Sequence, residues 1–205
     1  MARLTRRSAT AALVALPFCW TGARAQPAAV RRATPRQTEG PFYPVALPQD
    51  SDGDLLRNGT LDYAQGQPAW VEGIVSDLQG RPVSGAQVEI WQCDHQGHYH
   101  HPGDGSRADP SFQGFGRVTV GSDGRYRFRT IRPVPYSGRT PHIHVKVGLE
   151  RRELLTTQLY VEGDPGNERD FLWRNLGAAD RALVTVPFRA GSGVLQADFP
   201  IVVAA

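Results

Sequence analysis

The sequence predicts an all-β fold: a single β-sandwich domain of about eight strands, with an extended N-terminal arm and one short helix. Three observations carry this. Short runs rich in β-branched and aromatic residues alternate with Gly, Pro and Asp clusters, the punctuation of a sandwich or barrel. The 205 residues include 22 Gly and 16 Pro, more turn-formers than a long-helix protein carries. Only Asn167–Leu176 offers a helical stretch, about two to three turns by its length.

The elements follow in order. Gln26–Gln37, rich in Pro, Ala and Arg, reads as an extended arm, and Asp50–Asn58 as a surface loop. The arm and loop together span residues 26–60, and the sandwich 61–205. Trp70–Val75 is the first core strand and ends before the turn Gln79-Gly80-Arg81-Pro82. Ala86–Cys93 follows, with Val88, Ile90 and Trp91 as its apolar content. Gly116–Val120 and Arg125–Thr130 flank Ser122-Asp123-Gly124, a hairpin signal. His142–Val147 alternates: His142, His144 and Lys146 on one face, Ile143, Val145 and Val147 on the other. Leu154–Val161, Ala182–Phe188 and Val194–Val202 complete the set.

Charge and cysteine narrow the function classes. A 40 % hydrophobic and 21 % charged composition supports a packed core. Met1–Ala25 reads as an export signal, with Arg3, Arg6 and Arg7, then the apolar run Ala11–Trp20, then Ala23-Arg24-Ala25. Thr5-Arg6-Arg7 resembles a twin-arginine start, although Ala9 and Thr10 are smaller than the residues usual there. The expected destination is periplasmic or secreted. The signal's four Arg carry the formal charge of +3: without them 19 basic residues face 20 acidic ones. A nucleic-acid partner is therefore not expected. Nothing in the remainder reaches the ~18 apolar residues of a membrane span. Cys19 would leave with the signal, so Cys93 stands alone, as a buried small hydrophobe.

The chemistry begins at His142-Ile143-His144. Residues two apart on a strand share a face, so two imidazoles stand side by side, a pair that suits Zn, Cu, Fe or Ni. Upstream, His95, His98, His100 and His101 crowd one segment after a core strand, a candidate zinc or copper tract. Tyr136 is presented by the proline-stiffened segment Arg132–Pro141, six residues before His142. A tyrosine held there is a candidate metal ligand.

These residues fall in a longer pattern. Thr38-Glu39-Gly40-Pro41-Phe42-Tyr43, Glu89–Asp94, Gly97-His98-Tyr99 and Gly114–Arg117 resemble segments of the intradiol ring-cleavage dioxygenases. So do Gly124–Pro133, Pro135-Tyr136, Pro141–His144 and Thr157–Asp164. The chain is most similar to the protocatechuate 3,4-dioxygenase branch, in order from Thr38 to about Phe188. The resemblance implies one non-haem Fe(III) per chain, held by Tyr99, Tyr136, His142 and His144. It implies Arg139 as an electrostatic catalytic residue that also meets substrate, Gln158 as an active-site residue, and Gly40 and Pro41 beside the substrate. The implied reaction opens a catechol between its hydroxylated carbons with O2, giving a muconate-type diacid, and Tyr136 leaves the iron as substrate arrives. It leaves His95, His98, His100 and His101 as loop or pocket-rim residues. Where the protocatechuate enzymes carry a longer segment with a Trp, Tyr136 is followed at once by Ser137-Gly138-Arg139, which implies a more open pocket.

Two other readings stay open. In a cupin-like metalloenzyme, Glu150 or Glu153 would join His142 and His144. Val71–Val88, with Gly80, Pro82 and Gly85, also resembles the carboxypeptidase regulatory-like sandwich, a non-catalytic binding module. A homo-oligomer is compatible with all three, with the arm completing its own pocket or a neighbour's.

Overall fold

The computed structural model describes residues 31–205. The export-signal expectation for Met1–Ala25 lies outside these residues. The strands are β1 (Arg57–Asn58), β2 (Leu61–Asp62), β3 (Pro68–Asp77), β4 (Gln87–Trp91), β5 (Phe115–Thr119) and β6 (Arg125–Ile131). They continue with β7 (His142–Leu149), β8 (Arg152–Val161), β9 (Thr185–Val186), β10 (Arg189–Ala190), β11 (Leu195–Asp198) and β12 (Ile201–Val203). Two short α-helices, α1 (Phe171–Arg174) and α2 (Ala178–Val184), lie between β8 and β9.

Two five-stranded sheets form the sandwich. In one, β3 takes β6 antiparallel on one edge and β11 and β12 in parallel on the other, with β10 outside β11. The second has the order β5-β4-β7-β8-β9. Between them, Val71 and Phe128 of the first sheet meet Val88, Ile90, Ile143, Val145 and Leu159 of the second, all fully buried or nearly so. These are the alternate positions of each strand, as a half-buried pleat requires.

Three local expectations are corrected. Ala182–Phe188 is strand only at Thr185-Val186, because Ala178–Val184 is helical. Ala178, Ala179, Arg181, Ala182 and Leu183 are good helix formers, and that local preference outweighs the Val184/Val186/Phe188 alternation. Val194–Val202 divides into β11 and β12 at Phe199-Pro200, where proline has no N–H for the ladder. Asp50–Asn58 is not purely surface: Leu55 and Leu56 are core residues, and Leu55 donates its N–H to the Arg129 carbonyl on the β6 edge. The Asn167–Leu176 stretch holds a 3₁₀ turn at Asn167–Arg169 and then α1.

The described part of the arm, from Arg31 on, packs on its own chain. Gln37 N–H bonds to the Thr156 carbonyl, Thr157 Oγ1 donates to the Pro35 carbonyl, and Thr34 pairs with Val202. This carries Thr38–Tyr43 across the outer face of the second sheet, the face that bears His142 and His144.

Candidate metal centre

Strand β7 sets the frame. Its odd positions face the core and its even positions face the arm. In register, His144 lies opposite Trp91 of β4 and Gln158 of β8, and His142 opposite Tyr160. Both histidines are buried, with their Nε2 atoms 3.2 Å apart. His142 Nδ1 lies 2.7 Å from the Thr140 carbonyl, which fixes Nδ1 as the donor and leaves Nε2 a lone pair. His144 stacks on Trp91, with ring centroids 4.8 Å apart and planes 9° apart.

Two loops bring tyrosines to these imidazoles. Tyr99 leaves β4 through a corner tied by Asp94, whose carboxylate accepts the N–H groups of Gln96, His98 and Asp109. Gly97 lies in this corner at φ 85°, and a Cβ there would sit 3.3 Å from the Pro135 carbonyl and 3.4 Å from Tyr136 Cβ. Glycine thus lets the two tyrosine-bearing loops touch. Tyr136 opens a tight turn closed by the Arg139 N–H to the Tyr136 carbonyl at 2.7 Å. Its central residues, Ser137 (φ 44°) and Gly138 (φ 78°), are both left-handed, as a primed two-residue turn demands. The Tyr99 and Tyr136 rings meet edge to face at 5.0 Å, and Tyr136 Oη lies 3.5 Å from His142 Nε2.

The donor set fits a ferric ion. Tyr99 Oη is buried with no hydrogen-bond partner among the described residues, an expensive state for a hydroxyl unless a cation satisfies it. Burial first, then Cys93 and Tyr136, hold its phenol well above the usual tyrosine range. Burial and the Arg139 charge push His142 down to about 4, and burial, His142 and Arg139 hold His144 well below the usual imidazole range. Both imidazoles are therefore neutral near pH 7, the form that ligates metal. Phenolate oxygens are hard anionic donors suited to Fe(III), and a bound cation reverses the penalty on ionising a buried phenol.

Arg139 stands beside this group. Its Nε donates to Asp170 Oδ2 at 2.7 Å and its Nη2 to Gln158 Oε1 at 2.7 Å. Gln158 is fully buried, and its Nε2 donates to the Thr38 carbonyl of the arm. Gly40 covers His144, where a Cβ would lie 3.2 Å from Cε1. Pro41 is exposed next to it, and Phe42 stacks on Tyr99 at 4.8 Å. Two concavities flank the centre. One of about 200 Å³ is lined by Phe42, Trp91, Tyr99, His100 and Phe115. A more open one of about 340 Å³ is lined by Tyr136, Arg139, Asp164 and Arg169. Neither is lined by His142 or His144, which lie between them under the arm.

The other histidines do not converge. His98 faces Asp104, His101 Nδ1 accepts the Gly103 N–H, and His100 Nε2 sits against the Phe112 carbonyl at the rim of the smaller cavity. Glu150 lies in the β7–β8 turn, and Glu153 pairs with Arg36 and lies opposite Gly148, four residues along β7 from His144. Neither reaches the histidine pair, which removes the cupin-like ligand set. Cys93 is buried, its thiol pushed up to about 12 by burial. Sequence reasoning missed Asp170 and Tyr160. Tyr160 shares the strand face of Gln158, donates to Gln158 Oε1 at 3.0 Å, and was findable by the two-residue period of β8. Asp170 shows in sequence only as a residue fit to cap α1.

Known proteins point the same way. Residues 38–196 match the Dioxygenase family. The chain belongs to the intradiol ring-cleavage dioxygenase family. It is 35 % identical over 155 residues to a hydroxyquinol 1,2-dioxygenase of Corynebacterium glutamicum, covering 67 % of this chain and 49 % of that protein. Against a protocatechuate 3,4-dioxygenase beta chain of Burkholderia cepacia it is 38 % identical over 141 residues, 63 % of this chain and 60 % of that one. The chain spans about half the length of the hydroxyquinol dioxygenases it matches. The dioxygenase domain of a dioxygenase and carbohydrate-binding protein fusion from Streptomyces sp. SirexAA-E shares the fold with TM-score 0.67 and 32 % identity, covering 83 % of this chain and 97 % of that one.

Proposed function

We propose that this chain is a non-haem ferric dioxygenase that opens a catechol-type ring between its two hydroxylated carbons to give a muconate-type diacid. The observation that carries the reading is the convergence of two phenols and two neutral imidazoles, one phenol buried without a partner among the described residues. Ferric iron held by Tyr99, Tyr136, His142 and His144 would supply a Lewis acid for the two substrate oxygens and an electron path to O2. The chain's own residues supply the rest. A catechol must shed its protons on binding, and the half-buried Tyr136 Oη is the group placed to take one. The Thr140 carbonyl holds His142 with its lone pair inward. Arg139 carries a permanent charge beside the tyrosines, where negative charge develops on the ring as it meets O2. Gly40 lets the arm lie close over His144, and Gln158 ties the arm down there. The balance needs no reductant, because one catechol and one O2 together make the diacid.

The test is turnover of the iron-loaded protein on catechol and hydroxyquinol under ¹⁸O2. A diacid product carrying label is the expected result. An aldehyde-bearing ring-opened product, or no O2 uptake, would contradict it. Export is proposed separately, supported by Met1–Ala25 alone, and N-terminal sequencing of periplasmic protein starting near Gln26 checks it.

A further inference from the structure

The geometry points to Asp170 as the positioning residue that aims Arg139 at the reacting ring. This inference rests on the proposed ring-cleaving function. Asp170 is the most heavily used carboxylate near the site. Its side chain is fully buried and that of Arg139 only 13 % exposed. Oδ2 accepts Arg139 Nε at 2.7 Å and the Thr140 N–H at 3.1 Å. Oδ1 accepts the N–H groups of Leu172 and Trp173, which open α1, at 3.0 and 3.1 Å, and lies 3.4 Å from Arg139 Nη2. One carboxylate thus ties the last turn before β7, the start of α1 and one edge of the guanidinium, Nε and Nη2.

Stability alone does not account for this arrangement. A buried ion pair is seldom worth more than apolar residues of the same volume, because both charges must leave water. A four-residue helix needs only an ordinary cap, which Ser or Asn would supply. What the carboxylate adds is orientation. With Nε on Asp170 and Nη2 on Gln158, the guanidinium plane is fixed at two points, and Nη1 makes no hydrogen bond among the described residues. Burial works against both charges here. The hydrogen bond and charge of the partner outweigh it, so Asp170 sits below the usual carboxylate range and Arg139 stays charged.

Asp170→Asn separates cap from aim. Asn caps a helix as well as Asp, but one oxygen becomes an NH₂. It can serve α1 or Arg139, not both. The experiment measures kcat, KM, iron content and melting temperature for the wild type, Asp170→Asn, Asp170→Ser, Arg139→Ala and the double variants, with the Arg139 Nε–H signal followed by NMR. The expected result is a kcat loss of roughly 10²-fold in Asp170→Asn and Asp170→Ser, the scale of a misplaced reacting group. KM and iron content hold, and the wild-type Nε–H signal is lost. In the Arg139→Ala background the Asp170 change should cost little more, since groups acting as one unit do not add. Near-normal kcat in either folded Asp170 variant, or losses that multiply fully with Arg139→Ala, would overturn the role. A wild type without turnover overturns the function itself, a separate outcome from an active wild type that ignores Asp170.

Discussion

The two tyrosines at the centre sit in opposite surroundings. Tyr99 is 2 % exposed, stacked on Phe42, and anchored by a corner in which Asp94 and Asp104 hold the backbone. Tyr136 is half-buried on a glycine turn at the edge of the open cleft, and a Cβ on Gly138 would touch none of the described residues within 4 Å. As the proposed iron ligands, Tyr99 would be the fixed one and Tyr136 the one able to move. A phenol packed on all sides cannot leave a metal without breaking the core. A phenol on a two-residue turn beside open space can. The family resemblance implied both tyrosines and the departure of Tyr136, and this packing supplies a physical reason for their unequal roles.

The first way to break that comparison is Tyr99→Phe. Loss of an outer partner of a metal ligand costs ~10–100-fold in metal affinity, and loss of the buried ligand itself should exceed that. The same change deletes a hydroxyl with no partner among the described residues, so the iron-free protein should gain about 1–3 kcal/mol rather than lose stability. Iron titration and thermal melts check the two halves. Weaker iron binding together with a less stable apo-protein would mean that Tyr99 Oη is a structural group.

Arg139→Ala comes next. Iron content and colour should persist while kcat falls about 10²–10³-fold, the loss seen when one preorganised donor is removed. Near-normal steady-state turnover would return Arg139 to the role of a plain ion-pair partner for Asp170. The smallest effect is expected of Gly138→Ala. At φ 78° an alanine is strained by roughly 1–2 kcal/mol with no clash to add, so a denaturant melt should show a loss of that size and little change in iron content. A larger loss, with iron released, would show that the turn is rigidly coupled to the metal.

Much of this was legible in the chain, for identifiable reasons. The alternation along His142–Val147 is local, so it gave the strand, its buried face and the paired imidazoles together. Convergence of Tyr99 and Tyr136 is not local. It depends on two loops touching at Gly97, and only the likeness of motifs to a known family led to it. Ala178–Val184 misled because Val184 and Val186 alternate while the residues before them favour helix. The clamp on Arg139 was invisible because Asp170 lies 31 residues away and its sequence surroundings advertise only a helix start.

A ferric centre with one fixed and one displaceable tyrosinate is checked by the visible spectrum of the iron-loaded protein before and after anaerobic catechol. The wild type should be coloured by tyrosinate-to-iron charge transfer, with one iron per chain, and the band should shift to the red as catechol binds. Tyr136→Phe should keep a single-tyrosinate band that catechol moves far less. A colourless protein with one iron per chain, or a substrate complex in which Tyr136 keeps its bond to iron, would contradict it.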